Sequence, residues 1–145
     1  FAIIDRDTPE LWAIRPDGNG DITETHIVWK VTKRMPPRAS PLLAEGLLFL
    51  VNRNGIATCL EPKTGEVIWQ ERLKGAYSAS PIYTKGRIYF FNEDAICTVI
   101  KPSRKLEIIS SSSLAQQPLM ATPAVDGNTF YIRTEKYLYC IGKPL

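Results

Sequence analysis

The chain has 145 residues, 44% of them hydrophobic and 23% charged, which is enough for one folded unit with a real core and unlike a disordered tail. Its 18 Lys and Arg against 15 Asp and Glu leave a net charge of +3, too small and too evenly spread to argue for nucleic acid as a partner. No apolar run approaches the roughly 20 residues of a membrane-spanning helix, and no charged segment followed by an apolar one opens the chain as a leader would.

In chain order, "FAII", "LWAIR" and "HIVWKV" read as three short strands within residues 1–37. "FAII" looks like a strand entered partway, so the natural protein is expected to extend upstream of Phe1. Asp5, Asp7 and Glu10 gather near the start, but nothing around them would raise a carboxyl pKa, and they read as loop solvation rather than an acid/base pair. In "DGNGD", Asp17, Asn19 and Asp21 stand at alternate positions, as at the start of a calcium loop. The twelfth position, where such a loop carries a bidentate glutamate, is Val28. A plain polar turn is therefore the main reading, with calcium as the alternative.

From residue 38 a unit repeats. "ASP" at Ala39 to Pro41 returns at Ala79 to Pro81 and as "ATP" at Ala121 to Pro123, so Pro41, Pro81 and Pro123 are spaced by 40 and then 42 residues. Behind each proline come a glycine turn (Gly46, Gly86, Gly127) and a run rich in aromatic and branched residues, "LLFLVN", "RIYFFN" or "TFYIRT". A polar turn follows, then "IATCLEP", "AICTVIKP" or "YLYCIGKP", each ending at a proline that cannot donate to a sheet ladder. The last strand of each unit carries an apolar mark: Trp29, then Trp69 after 40 residues, then Ile109 at the expected equivalent place. Helical periodicity is absent throughout.

Four short strands in about 40 residues predict an all-β fold built from antiparallel propeller blades, which cannot bury both faces alone and must stack around an axis. The division is a partial blade at 1–37, whole blades at 38–77 and 78–118, and a partial blade at 119–145. A last segment without a fourth strand suits a ring closed by strands from both chain ends. It also suits self-association through open edges.

The stretch "CLEPKTGEVIW", with Pro62, Gly65 and Trp69, resembles the tryptophan-docking repeat of the quinoprotein, or pyrroloquinoline-quinone-like, β-propeller superfamily. "SASPIYTKGRIYFFN" and "MATPAVDGNTFYIRT" resemble the opening of the same repeat, and the likeness covers nearly the whole chain. It implies an eight-bladed ring, of which this would be about half, with Trp29 and Trp69 as pegs between blades and Gly65 as the turn that Thr64 and the chain reversal need. Dehydrogenases of that superfamily hold their quinone between a tryptophan and a disulfide of adjacent cysteines, beside calcium. Here the three cysteines, Cys59, Cys97 and Cys140, lie dozens of residues apart in alternating apolar runs and read as small buried fillers.

With a single histidine, His26, and no Gly-x-Ser-x-Gly, zinc chemistry and a serine hydrolase have little support. The expected function is a non-catalytic scaffold for a protein or carbohydrate partner, without a cofactor. The alternative is the C-terminal portion of a quinone-dependent dehydrogenase whose catalytic residues lie upstream, with quinone and calcium as cofactors. A periplasmic or extracellular location is implied by the resemblance alone.

Overall fold

The computed structural model describes residues 1–4, 8–114 and 117–142, and among them every regular element is a strand. Asp5 and Asp7 lie outside the described residues. The strands run in chain order through four antiparallel sheets. The first sheet holds β1 (Ala2–Ile4), β2 (Glu10–Ile14) and β3 (Ile27–Val31). The second holds β4 (Leu42–Ala44), β5 (Leu47–Val51), β6 (Ile56–Leu60) and β7 (Val67–Arg72). The third is β8 (Ile82–Thr84), β9 (Arg87–Phe91), β10 (Ile96–Lys101) and β11 (Glu107–Ser113). The fourth is β12 (Ala124–Asp126), β13 (Thr129–Arg133) and β14 (Leu138–Gly142). Meandering sheets of three and four strands, packed face to face in sequence, are the architecture of part of a β-propeller.

Local chemistry explains the hairpins. Glu45 and Gly46 join β4 to β5 with φ of 49° and 72°, and Lys85 and Gly86 join β8 to β9 with 50° and 71°. Two successive positive φ values make a type I′ turn, whose twist matches that of the strands it joins. Pro41, Pro81 and Pro123 each stand one residue before the first strand of a sheet, where no ladder bond is lost.

Packing explains why "LLFLV" carries no polar residue. Leu48 and Leu50 of β5 face the first sheet with Leu11, Met35 and Leu60, while Phe49 and Val51 face the third with Trp69, Tyr77, Ile88, Phe90 and Ile100. A strand covered on both faces is apolar at every position. β9 repeats the arrangement: Ile88 and Phe90 turn to the second sheet, and Phe91, backed by Tyr89, turns to Phe130 and Ile132 of the fourth. Each fully buried side chain of this size stabilises the fold by about 1.5–3 kcal/mol relative to exposure.

One expectation is corrected by the ladder. Trp29 pairs with Ala13 and Trp69 with Cys59, each next to a bulge at Val28 or Ile68. In the third sheet the bulge falls at Ile109, and Ser110 pairs with Val99, the counterpart of Cys59. Ser110, not Ile109, therefore occupies the tryptophan's place. The cause is one extra residue in the turn, since the ladder resumes at Ile108 after Ile100 but at Val67 after Leu60. Ile108 and Ile109 are left exposed.

Candidate functional site

Three sets of polar contacts recur with the repeat. In the first, Trp29 donates its indole N–H to the Pro62 carbonyl in the second sheet at 3.0 Å, and Trp69 donates to the Ser103 carbonyl in the third at 3.1 Å. Gly65 forms the bed for Trp29. A Cβ there would stand 2.7 Å from the indole Cε3, and its φ of 74° also favours glycine. An aromatic body with a single N–H is suited to a junction that is apolar except for one carbonyl.

The second set links the strand entries. Ser40 N–H donates to Ser80 Oγ at 2.9 Å, and Ser80 N–H donates to Thr122 Oγ1 at 2.8 Å, so the residues preceding Pro41, Pro81 and Pro123 form a chain across three sheets. The third set was missed in the sequence, although its signal was there: Asn52 and Asn92 close the runs "LLFLVN" and "RIYFFN" 40 residues apart. Both are buried. Asn52 accepts from Ile56 N–H at 3.0 Å and donates to the Arg34 carbonyl at 3.1 Å. Asn92 accepts from Ile96 N–H at 2.8 Å and donates to the Lys74 carbonyl at 3.1 Å. Each amide clamps a tight turn to the loop entering its sheet.

The loops on that side enclose two clefts. One, of about 380 Å³, is lined by Arg34, Asn52, Arg53 and Asn54 together with Thr8 and Thr32. The other, of about 480 Å³, is lined by Glu93, Asp94, Ser113 and Gln117. Arg53 Nε stands 4.0 Å from Glu93 Oε1, which also accepts from Ser78 Oγ at 2.6 Å. Among the hydroxyls, Tyr77 is buried, and burial raises its pKa. Tyr83 donates to Glu45 across β8 and the β4–β5 turn.

The calcium-like loop is arranged around other partners. Asp17 lies 3.5 Å from His26 Nε2 and 3.9 Å from Arg15 Nε, while Asp21 accepts from the Thr23 backbone at 3.0 Å, with hydrogen bonds from Thr23 lowering its pKa. No contact of Asn19 with either carboxylate joins them into one set. Among the described residues, no three His, Cys, Asp or Glu side chains gather at metal-binding spacing. Glu10 accepts the Trp12 indole N–H at 2.6 Å. Cys59, Cys97 and Cys140 are free and sit on the third strands of the second and third sheets and the last strand of the fourth. Burial pushes the thiols of Cys59 and Cys97 up to about 12, so both are neutral and poor nucleophiles.

The sequence pattern of a family described as the outer membrane protein assembly factor BamB matches residues 19–106, well over half of the chain. The chain belongs to that BamB family. Among curated proteins none matches it in sequence. Of solved structures, BamB from Moraxella catarrhalis is similar with a TM-score of 0.70 at 15% identity, over 91% of this chain and 39% of that one. The chain thus spans about two fifths of that relative's length. The quinohemoprotein alcohol dehydrogenase ADHIIG from Pseudomonas putida HK5 is similar at 0.58 and 15% identity, over 67% of this chain and 16% of that one. The quinohemoprotein alcohol dehydrogenase of Comamonas testosteroni follows at 0.55 and 13%, over 67% and 17%. At such identities the likeness speaks for the fold, and BamB and the dehydrogenases share it.

Proposed function

We propose that the chain supplies blades of an eight-bladed propeller that acts as a non-catalytic scaffold, holding its loops rigid for a protein partner in the periplasm or outside the cell. The observation that supports this most directly is where the recurring polar groups go. The indoles of Trp29 and Trp69, the Ser40, Ser80 and Thr122 series and the Asn52 and Asn92 amides all bind the protein's own backbone. In this reading the two tryptophans are pegs that set blade against blade, and function is left to the loops. Membership of a family described by outer membrane protein assembly supports a protein rather than a carbohydrate as partner.

A second reading, part of a quinone-dependent dehydrogenase, draws on the fold shared with the quinohemoprotein enzymes. The cysteine pair implied for quinone stacking does not fit this chain, whose three thiols are free and lie on three different sheets. Capture from native extract by the full-length protein decides between the readings. Recovery of one stoichiometric protein partner is expected, whereas quinone binding at micromolar or better affinity would replace the scaffold by the enzyme.

A further inference from the structure

The cleft beside Arg53 and the cleft beside Glu93 carry opposite charge. The asparagine clamps relate the two turns, since Asn52 bonds the Arg34 carbonyl as Asn92 bonds the Lys74 carbonyl. Arg53 and Asn54 then correspond to Glu93 and Asp94. Among the described residues lining the first cleft, the two charged side chains are both arginines.

Arg34 is also held in place. Its guanidinium donates to Gln70 Oε1 at 2.7 Å, and the Gln70 amide donates to the buried Thr58 Oγ1 at 3.0 Å. Arg34 itself has a φ of 61°, a conformation that side-chain-bearing residues adopt at a cost and that clusters at binding sites. The third repeat has no such relay, because Ser111 stands opposite Thr98 where Gln70 stands opposite Thr58. An arginine fixed before binding loses little rotamer freedom when it binds, and its remaining donors match a carboxylate in the bidentate geometry.

We infer that the cleft between Arg34 and Arg53 docks an extended acidic segment of the protein partner, with its carboxylates held by the two guanidinium groups. The inference rests on the scaffold reading and names the chemistry of its partner. The cleft with Glu93 and Asp94 repels the same segment, which confines docking to the arginine cleft. Glu93, 4.0 Å from Arg53, competes with the incoming carboxylate.

The test uses the full-length protein and a fluorescein-labelled Gly-Glu-Ser-Glu-Ser-Glu-Gly peptide, followed by anisotropy at low salt. Binding should weaken about tenfold in Arg34→Gln and again in Arg53→Gln, and should weaken as salt screens the contacts. Glu93→Gln should tighten it severalfold, a gain that misfolding cannot produce. Equal binding of the peptide with Gln at each Glu position would overturn the inference. So would unchanged affinity in both arginine variants, or displacement by dextran sulfate at equal charge, which would mean a general polyanion surface. If the partner from native extract is retained undiminished by the double Arg34→Gln, Arg53→Gln protein, this site falls while the scaffold reading stands.

Discussion

The second and third sheets follow one plan 40 residues apart, yet β7 carries the buried Trp69 while β11 is exposed along all seven residues. Two local changes separate them. The turn before β11 is one residue longer, which brings Ser110 to the place of Trp69. The turn before β10 carries Ala95 at φ 55°, where the turn before β6 has Gly55 at φ 77°. The comparison teaches that ladder register, rather than spacing along the chain, decides which residue reaches a junction. A single residue inserted in a turn shifts the strand behind it by one place and changes the side chain presented to the neighbour.

Breaking the Trp69 junction, which has no counterpart at Ser110 of the third sheet, should give the largest effect. Trp69→Ala is expected to cost about 3–5 kcal/mol in denaturant unfolding, as for an emptied aromatic site. A loss below about 1 kcal/mol would remove the peg from the account. Next comes Gly55→Ala. Its new Cβ would meet the Leu73 and Gly75 carbonyl oxygens at 2.6 Å, so about 2–3 kcal/mol should be lost through clash and left-handed strain. Ala95 already holds a Cβ at the equivalent turn, and Ala95→Gly should stay within about 1 kcal/mol of the parent. Equal costs at the two positions would show that the turns do not differ.

Asn92→Ala removes a clamp common to both sheets and leaves buried N–H and carbonyl groups unpaired, with an expected loss of about 1–3 kcal/mol by the same measurement. The two high thiols give a pH signature. Unfolded cysteines ionise near 9.0, whereas Cys59 and Cys97 stay neutral up to about 12, so their contribution is complete below pH 9 and is lost as pH rises from 9 towards 12. Unfolding midpoints across pH 8 to 11 should fall less steeply in the Cys59→Ala, Cys97→Ala protein, and parallel curves would rule the effect out. Ile109→Ala, at an exposed bulge, should change stability by less than about 0.5 kcal/mol.

Much of the strand plan was legible because it rests on local rules. Glu45-Gly46 and Lys85-Gly86 announce tight turns, and the runs behind them are apolar with branched and aromatic residues that suit a pleat. The docking cleft was not legible. Arg34 and Arg53 are 19 positions apart and belong to a loop and a turn whose approach depends on the Asn52 clamp, and Gln70, which orients Arg34, comes from a further strand. The error at Ile109 has the same origin, since counting 40 residues from Trp69 ignores the longer turn.

By itself the sequence determined the repeat, its period and the all-β class, because hairpin turns, pleat-forming runs and interrupting prolines act within a few residues of where they are written. Only the tertiary structure decided what the repeated positions face. Whether a given place holds the Trp69 indole on the Ser103 carbonyl or an open Ser110, and whether a cleft carries Arg53 or Glu93 beside its neighbours, depends on contacts between sheets. Those contacts join residues 15 to 42 positions apart, and their geometry follows from packing and ladder register, which local chain chemistry does not encode.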